Sequence, residues 1–224
     1  PGGLTTREKD WYPFVMTFND VTGFRRYTDN DNLSLTVMYN FPAFSMKNGC
    51  SMLYDVDSPY YNSFYGAYIV QDSSGKPYGF RADNGSLKLD LQSVSIIPQY
   101  DFQNLVLSDF GLNSSDMVFN WNITDCESDI PYLDYDGWTL VDADLIVNGS
   151  AHNKKGVVQS YLQYGSPSYE TQNEFSPIQM KGRIYSRYFE EYNCSIFFYI
   201  ITNDTTTLEK CDKEILSLSV ISKK

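Results

Sequence analysis

The sequence predicts an α+β fold: a predominantly antiparallel β-sheet with about two helices, the C-terminal one packed on the sheet. Two observations lead there. Many short apolar runs are separated by Gly, Pro, Asn and Asp, which is typical of sheet proteins, and one amphipathic segment lies near the C-terminus. At 224 residues and 42% hydrophobic, the chain can bury a core as one domain. We expect residues 1–10 to be a linker or a non-native remnant and residues 11–224 to form a single α+β domain.

The predicted strands share a short apolar core and turn residues at both ends. They cover residues 12–18, 33–39, 64–71, 86–91, 117–121, 138–147, 157–164, 178–189 and 195–202.

The clearest strand pattern runs from Val141 to Val147, where every second residue is apolar. Asp142 and Asp144 point to the opposite face, which predicts a strand buried on one side and solvated on the other. The two last predicted strands are both long and apolar and are separated only by residues near 191–193. We therefore expect them to form a hairpin.

The C-terminal helix is predicted to begin at Thr206, which with Glu209 three residues later has the spacing of a capping box. Its apolar residues recur on one stripe, which predicts packing against the sheet. That stripe contains Leu208, Cys211, Ile215 and Leu218.

The other helix is predicted over residues 99–110, with Pro98 at its entry and Gly111 at its end. An alternative remains open here, because residues 105–107 could also extend a strand.

The net charge of −11 argues against a nucleic-acid partner, because such a field repels phosphate backbones. The same charge favours a cationic ligand or serves only solubility. The longest strongly apolar stretch, residues 196–201, is far shorter than the roughly 20 residues that span a bilayer. We expect no transmembrane segment in this chain, although an anchor could have been removed upstream of Pro1.

Seven Asn-x-Ser/Thr triplets occur, against roughly three expected by chance, which favours an extracytoplasmic location, secreted or surface-anchored. A chance excess in an Asn-rich and Ser-rich bacterial sequence is the alternative. The triplets begin at Asn32, Asn84, Asn113, Asn122, Asn148, Asn193 and Asn203.

The four cysteines are Cys50, Cys126, Cys194 and Cys211, and their spacing matches no zinc site or Cys-x-x-Cys motif. A strand followed by a helix folding back over it would leave Cys194 and Cys211 more than ~10 Å apart, beyond the reach of a disulfide. We expect these two to be unpaired with each other, and Cys211 to be a small buried residue of the helix.

Aromatic residues crowd the segment from 54 to 80, and this block is the predicted ligand-binding surface, because rings stack on sugars and on other rings. The alternative is that residues 64–70 form a strand buried on both faces, which would leave the two tyrosines after Pro59 as the exposed rings. The candidate ligand-binding residues are Tyr60, Tyr61, Phe64, Tyr65 and Tyr68.

Catalytic chemistry finds little support, since His152 is the single histidine and lies in a polar, turn-like stretch. Asp134, Asp136 and Glu190 are the candidate acids of a glycan hydrolase. Residues 134–137 resemble the start of a calcium loop but lack its later ligands. We assign no catalytic residue, no metal and no cofactor.

The sequence therefore favours a non-enzymatic, extracytoplasmic binding or interaction domain with a tyrosine-rich surface, whose partner is a protein or a carbohydrate. One alternative is a carboxylate-dependent hydrolase acting on glycan. Another is a structural domain without ligand.

Overall fold

The computed structural model describes residues 4–5, 12–18, 23–28, 33–40, 44–47, 51–54, 64–101, 118–153, 172–202 and 204–224. The described helices are α1 (Leu91–Asp101) and α2 (Thr205–Glu214), with short 3-10 turns at Glu190–Tyr192 and Leu216–Leu218. The described strands are β1 (Leu4–Thr5), β2 (Phe14–Phe18), β3 (Gly23–Thr28), β4 (Leu33–Asn40), β5 (Phe44–Lys47), β6 (Ser51–Tyr54), β7 (Phe64–Asp72), β8 (Phe80–Asp83), β9 (Ser86–Leu89), β10 (Val118–Tyr132), β11 (Tyr135–Asn153), β12 (Gln172–Phe189), β13 (Cys194–Thr202) and β14 (Val220–Lys223).

Seven strands form the main sheet in the order β10-β11-β12-β13-β7-β4-β3, and every neighbouring pair is antiparallel. All nine residues of the central strand β13 are buried. A strand covered on both faces needs an uninterrupted apolar run, and Ile196 to Ile201 supplies one. The predicted fold class is confirmed.

One face of the sheet, the helix face, carries α2 and the three-stranded sheet β1-β2-β14. The core on this side consists of alternate residues of the sheet strands together with the apolar stripe of α2. It includes Tyr65, Ala67, Ile69, Trp138, Phe189, Ile196, Phe198, Ile200, Leu208, Cys211 and Ile215.

The opposite face carries α1 and the β8–β9 hairpin around Phe197. The rings of Tyr78 and Phe80 lie 6.3 and 6.2 Å from the Phe197 ring. Gly79 lies between them with a φ of 78°, and a Cβ at this position would approach Phe197 to 2.8 Å. Only glycine combines this backbone conformation with so close a contact.

The predicted hairpin between the two long C-terminal strands is confirmed, since β12 and β13 pair from Phe189 with Cys194 to Lys181 with Thr202. The connection is the 3-10 turn followed by Asn193, whose φ of 48° lies in the left-handed region. Asn tolerates that region better than most residues.

The helical boundaries predicted for α2 need one correction. The N-cap is Asp204, whose Oδ1 accepts a hydrogen bond from the backbone N–H of Thr207 at 2.8 Å and whose Oδ2 accepts one from the Thr207 hydroxyl at 2.9 Å. The predicted cap Thr206 lies inside the helix. Glu209 is not part of a capping box, because it binds Arg183 on the sheet.

The prediction for α1 is wrong at its start. This helix begins at Leu91, so Pro98 lies within it, where it interrupts one helical hydrogen bond. The predicted strand over residues 86–91 ends at Leu89, because α1 begins at Leu91. Residues 102–110 of the predicted helix, and the predicted strand over 157–164, lie outside the described residues.

Within the segment predicted to be a linker, Leu4 and Thr5 pair with Phe18 and Thr17 of β2. Cys194 is buried in β13, and Cys211 is a small buried residue of α2, as predicted.

Candidate functional site

The five residues predicted to bind a ligand have different positions. Tyr60 and Tyr61 lie outside the described residues, and the backbone of Phe64 pairs with Ile201 at the start of β7. Tyr65 and Tyr68 are 0% and 1% exposed, and the Tyr68 ring stacks on Tyr199 at 5.4 Å. Residues 65–70 are thus buried on both faces, as the alternative interpretation of this strand expected.

The candidate acids lie in two exposed turns. Asp134 follows Leu133 in the β10–β11 turn, and their φ values of 64° and 49° are those of a tight hairpin turn with both central residues left-handed. Asp136 is exposed just beyond it, and Glu190 is exposed in the β12–β13 turn. These acids line neither of the two concavities that lie beside β11 and β12.

In the part of the chain that the structure describes, no group of three or more His, Cys, Asp or Glu is placed so that it could hold a metal ion. The backbone of His152 lies near the end of β11.

The two turns meet at one end of the sheet and form a surface of tyrosine and arginine, which we name the hairpin-end patch: Tyr135, Arg187 and Tyr192. The Arg187 guanidinium lies 4.0 Å from the ring centroid of Phe189 and 5.2 Å from that of Tyr135. Its Nε donates a hydrogen bond to the carbonyl of Asp136 at 2.7 Å. One side chain therefore joins the end of β12 to the β10–β11 turn.

The tyrosines of this patch are half-buried and held in place. The Tyr192 ring packs on Phe14 and Phe189 at 4.7 and 5.8 Å, and the Tyr135 hydroxyl donates to the Ile221 carbonyl at 3.3 Å. Partial burial raises the pKa of Tyr192, and a hydrogen bond with Tyr135 raises it further.

A second feature is an ionic cluster between the sheet and α2, centred on the buried Arg183 of β12. Its Nε and Nη2 donate to Asp142 at 2.7 and 2.9 Å, and its Nη1 donates to Asp212 at 2.7 Å. Glu209 accepts from Nη2 at 2.8 Å and from Nη1 at 3.3 Å. All five guanidinium N–H groups are used.

Asp212 is held by further donors. The Tyr185 hydroxyl donates to its Oδ2 at 2.6 Å, and the Ser217 hydroxyl donates to its Oδ1 at 2.9 Å. The Tyr132 ring stacks on Tyr185 at 3.9 Å, almost parallel. Burial raises the pKa of Tyr185, and the nearby Asp212 raises it further. Burial would lower the pKa of Arg183, but hydrogen bonds to three carboxylates raise it above its ordinary value.

Beside this cluster lies a shallow concavity on the helix face, which we name the polar groove. It consists of two adjoining hollows of about 280 and 270 Å³ that share Asp144 and Lys181. Asp144 and Lys181 form an ion pair across β11 and β12. The other polar lining residues are Asn122, Thr124, Asp142, Gln179, Arg183, Thr205 and Glu209.

Sequence reasoning missed Arg183, Lys181 and Asp212 as participants, and it placed Asp142 and Asp144 on a solvated face. Both aspartates are only partly exposed, because they pair with the two cations on β12 and α2 covers part of this face. A signal was present: Lys181 and Arg183 are two residues apart, as are the two aspartates.

Comparison with protein-family models, with curated proteins and with solved structures gave no match. In the part of the chain that the structure describes, no helix is long and apolar enough to cross a membrane.

Proposed function

We propose that this chain is a non-enzymatic, extracytoplasmic interaction domain that binds a protein partner through the hairpin-end patch. The observation that carries the proposal is the arrangement of Arg187, whose guanidinium is fixed over Phe189 and Tyr135 while Tyr192 packs beside them. Tyrosine and arginine are the residues most enriched where a few side chains carry most of the binding energy.

Rigidity supports this assignment. Each ring of the patch packs against a neighbour, and Arg187 is also hydrogen-bonded to the β10–β11 turn. Side chains that are ordered before binding lose less conformational entropy when a partner arrives. The sequence predicted a tyrosine-rich contact surface between Tyr60 and Tyr68; we propose instead that the contact surface lies on these two turns, at residues that were not among those candidates.

The charge around the patch favours a partner with basic groups. Exposed carboxylates rim it, namely Asp134, Asp136, Glu190 and Glu191. The whole β10–β11 hairpin contains seven acidic residues and no lysine or arginine. Opposite charge speeds encounter and selects among partners, and it makes association sensitive to salt.

The same exposure argues against the hydrolase alternative. A glycosidase needs two carboxyl groups facing each other across a cleft, one of them with a raised pKa. Asp134, Asp136 and Glu190 instead point into solvent from turns. The three acids that do line a concavity are Asp142, Asp144 and Glu209, and each is paired with Arg183 or Lys181.

The extracytoplasmic location is supported by the excess of Asn-x-Ser/Thr triplets, of which Asn84 is exposed in the β8–β9 turn. Protease treatment of intact source cells tests it. Cleavage of the protein without cell lysis is expected, and full protection of the protein would contradict this location.

The proposed contact surface is tested by photo-cross-linking. A benzophenone amino acid replaces Tyr192, and in a matched control it replaces Phe80, a half-buried aromatic residue of β8. Both proteins are irradiated with surface and secreted proteins of the source organism. A cross-linked partner is expected from position 192 and not from position 80.

Two arginine variants decide whether the patch is responsible. Arg187→Ala should abolish the cross-link at position 192, and Arg81→Ala, which removes an exposed arginine of β8, should leave it unchanged. Equal cross-linking at both positions, or insensitivity to Arg187→Ala, would contradict the proposal. No cross-link at either position would favour a structural domain without ligand.

A further inference from the structure

We propose that the polar groove is a second binding site, separate from the hairpin-end patch, and that its ligand is a neutral, hydroxyl-rich molecule of the saccharide class. The inference does not depend on the proposed protein partner, because the two surfaces share no residue.

The groove is built by strand register. Asn122 pairs with Asp144, and Asp144 pairs with Lys181, so these side chains form one row across β10, β11 and β12. The next row toward α2 contains Asp142 and Arg183, which also pair directly. Neighbouring strands lie ~4.8 Å apart and same-face residues ~7 Å apart along a strand, so the rows form a regular array of polar groups.

The wall of the groove comes from the first turns of α2. Thr205 and Glu209 line it there, and Glu209 is held by Arg183 at 2.8 Å. The position of the wall is therefore fixed by the ionic cluster and does not depend on a ligand.

The charges of the groove are already paired, which disfavours ionic ligands. Lys181 binds Asp144, and Arg183 uses its five N–H groups on three carboxylates, so no cation is available for a phosphate or carboxylate ligand. A cationic ligand would have to displace Lys181 from Asp144, because that ion pair already neutralises the carboxylate.

What remains available is hydrogen-bonding capacity. Asp144 is 46% exposed and offers carboxylate oxygens that accept from hydroxyl groups. Asn122 and Gln179 carry amides that both donate and accept, and Thr124 and Thr205 add hydroxyl groups. A saccharide has such donors and acceptors on adjacent carbons, whereas an apolar ligand would leave these groups unsatisfied.

An apolar surface lies at one end of this array. Ile146 is 40% exposed and lines the first hollow, where its side chain can contact the C–H groups of a sugar ring. Each hollow is close to the lower limit of about 300 Å³ for small-molecule sites. The groove therefore fits a ligand of one or two sugar rings.

Nuclear magnetic resonance of the uniformly ¹⁵N-labelled chain tests this inference. The probes are glucose, galactose, mannose, N-acetylglucosamine and their common disaccharides, with glucosamine and glucuronate as charged analogues. At least one neutral sugar is expected to shift the side-chain amide signals of Asn122 and Gln179 while leaving the backbone signals of Arg187 and Tyr192 unchanged.

Matched variants identify the site. Asp144→Asn, which breaks an ion pair with Lys181, should weaken binding of that sugar by roughly tenfold, the effect of losing a hydrogen bond to a charged group. Asp83→Asn breaks the exposed ion pair with Lys88 in the β8–β9 hairpin and should leave binding unchanged. Asn122→Ala, at an exposed position, provides a second variant that should also weaken binding.

Three outcomes would overturn the inference. The first is that no neutral sugar shifts the amide signals at roughly 100 mM, a concentration at which even affinities weaker than 1 mM would be seen. The second is that only a charged analogue binds. The third is that Asp83→Asn weakens sugar binding as much as Asp144→Asn does. A loss of cross-linking at position 192 with sugar binding intact would contradict only the proposed protein partner.

Discussion

Replacing Arg183 with methionine is the perturbation that most sharply tests how α2 is held on the sheet. Methionine keeps much of the length and apolar volume of the arginine stem but removes the guanidinium. The variant leaves Asp212, whose side chain is 8% exposed, buried without a cation. Removing one partner of a buried pair typically costs 3–5 kcal/mol, because the remaining charge is uncompensated.

The structure narrows the loss of stability expected for Arg183→Met. Asp142 and Glu209 are 29% and 58% exposed, so water can replace much of their interaction with Arg183. Asp212 also keeps the hydrogen bonds from Tyr185 and Ser217. We therefore expect a loss of about 3 kcal/mol in the free energy of unfolding, near the lower end of the range. For a chain of this length, that loss lowers Tm by about 6–12 °C.

Urea unfolding followed by circular dichroism measures the effect, with Glu209→Gln as the matched control. Glu209→Gln should cost less than about 1 kcal/mol, because its carboxylate is largely exposed. The double variant Arg183→Met with Asp212→Asn should recover part of the loss, since the uncompensated charge is gone. The reasoning is refuted if Arg183→Met lowers the free energy of unfolding no more than Glu209→Gln does. It is also refuted if the loss in the double variant equals the summed losses of Arg183→Met and Asp212→Asn.

Three other predictions concern separate parts of the fold. Gly182→Ala should destabilise the sheet by about 1–3 kcal/mol in urea unfolding, because its Cβ would lie 2.5 Å from Leu145 and 2.7 Å from the Trp121 ring; a neutral result would contradict the tight packing there. Asp204→Ala should lower the free energy of unfolding by about 1 kcal/mol, because α2 loses its N-cap, whereas Thr206→Ala should be nearly neutral. The reverse order would favour the capping box predicted at Thr206. Burial raises the pKa of Cys194 to about 12, so the folded state holds this proton more tightly than the unfolded state. The stability contributed in this way is complete below about pH 8.5 and is lost as the pH rises toward 12. Cys194→Ala should therefore reduce the slope of the unfolding free energy against pH in that window. An unchanged slope would refute the raised pKa of Cys194.

The parts of the fold that sequence predicts well are those encoded locally. The apolar run of β13, the alternation from Val141 to Leu145 and the stripe of α2 each reflect one periodicity. The structure has the first two in full, and it has the stripe as far as Ile215; Leu218 is exposed in a 3-10 turn beyond the helix. The hairpin turn at Asn193 also follows from its own residues.

The candidate sites depend on register and tertiary packing, which no local pattern contains. Arg183 meets Asp142 because β11 and β12 pair at that register, and it meets Asp212 because α2 crosses above it. Period-two patterning left open whether Tyr65 and Tyr68 are both buried, because burial of both requires layers on both faces of the sheet. The rings of the hairpin-end patch lie far apart in sequence, from Tyr135 to Tyr192, so the crowding of aromatic residues along the chain did not point to them.

The central claim is that this protein acts by contact through the hairpin-end patch, and ring resonances of ¹³C-tyrosine report on that contact most directly. When the partner isolated by cross-linking is added to the labelled protein, the signals of Tyr135 and Tyr192 should shift, and the buried rings of Tyr68 and Tyr199 should not. Ring signals of Tyr135 and Tyr192 that stay in place while the partner demonstrably binds would contradict the claim.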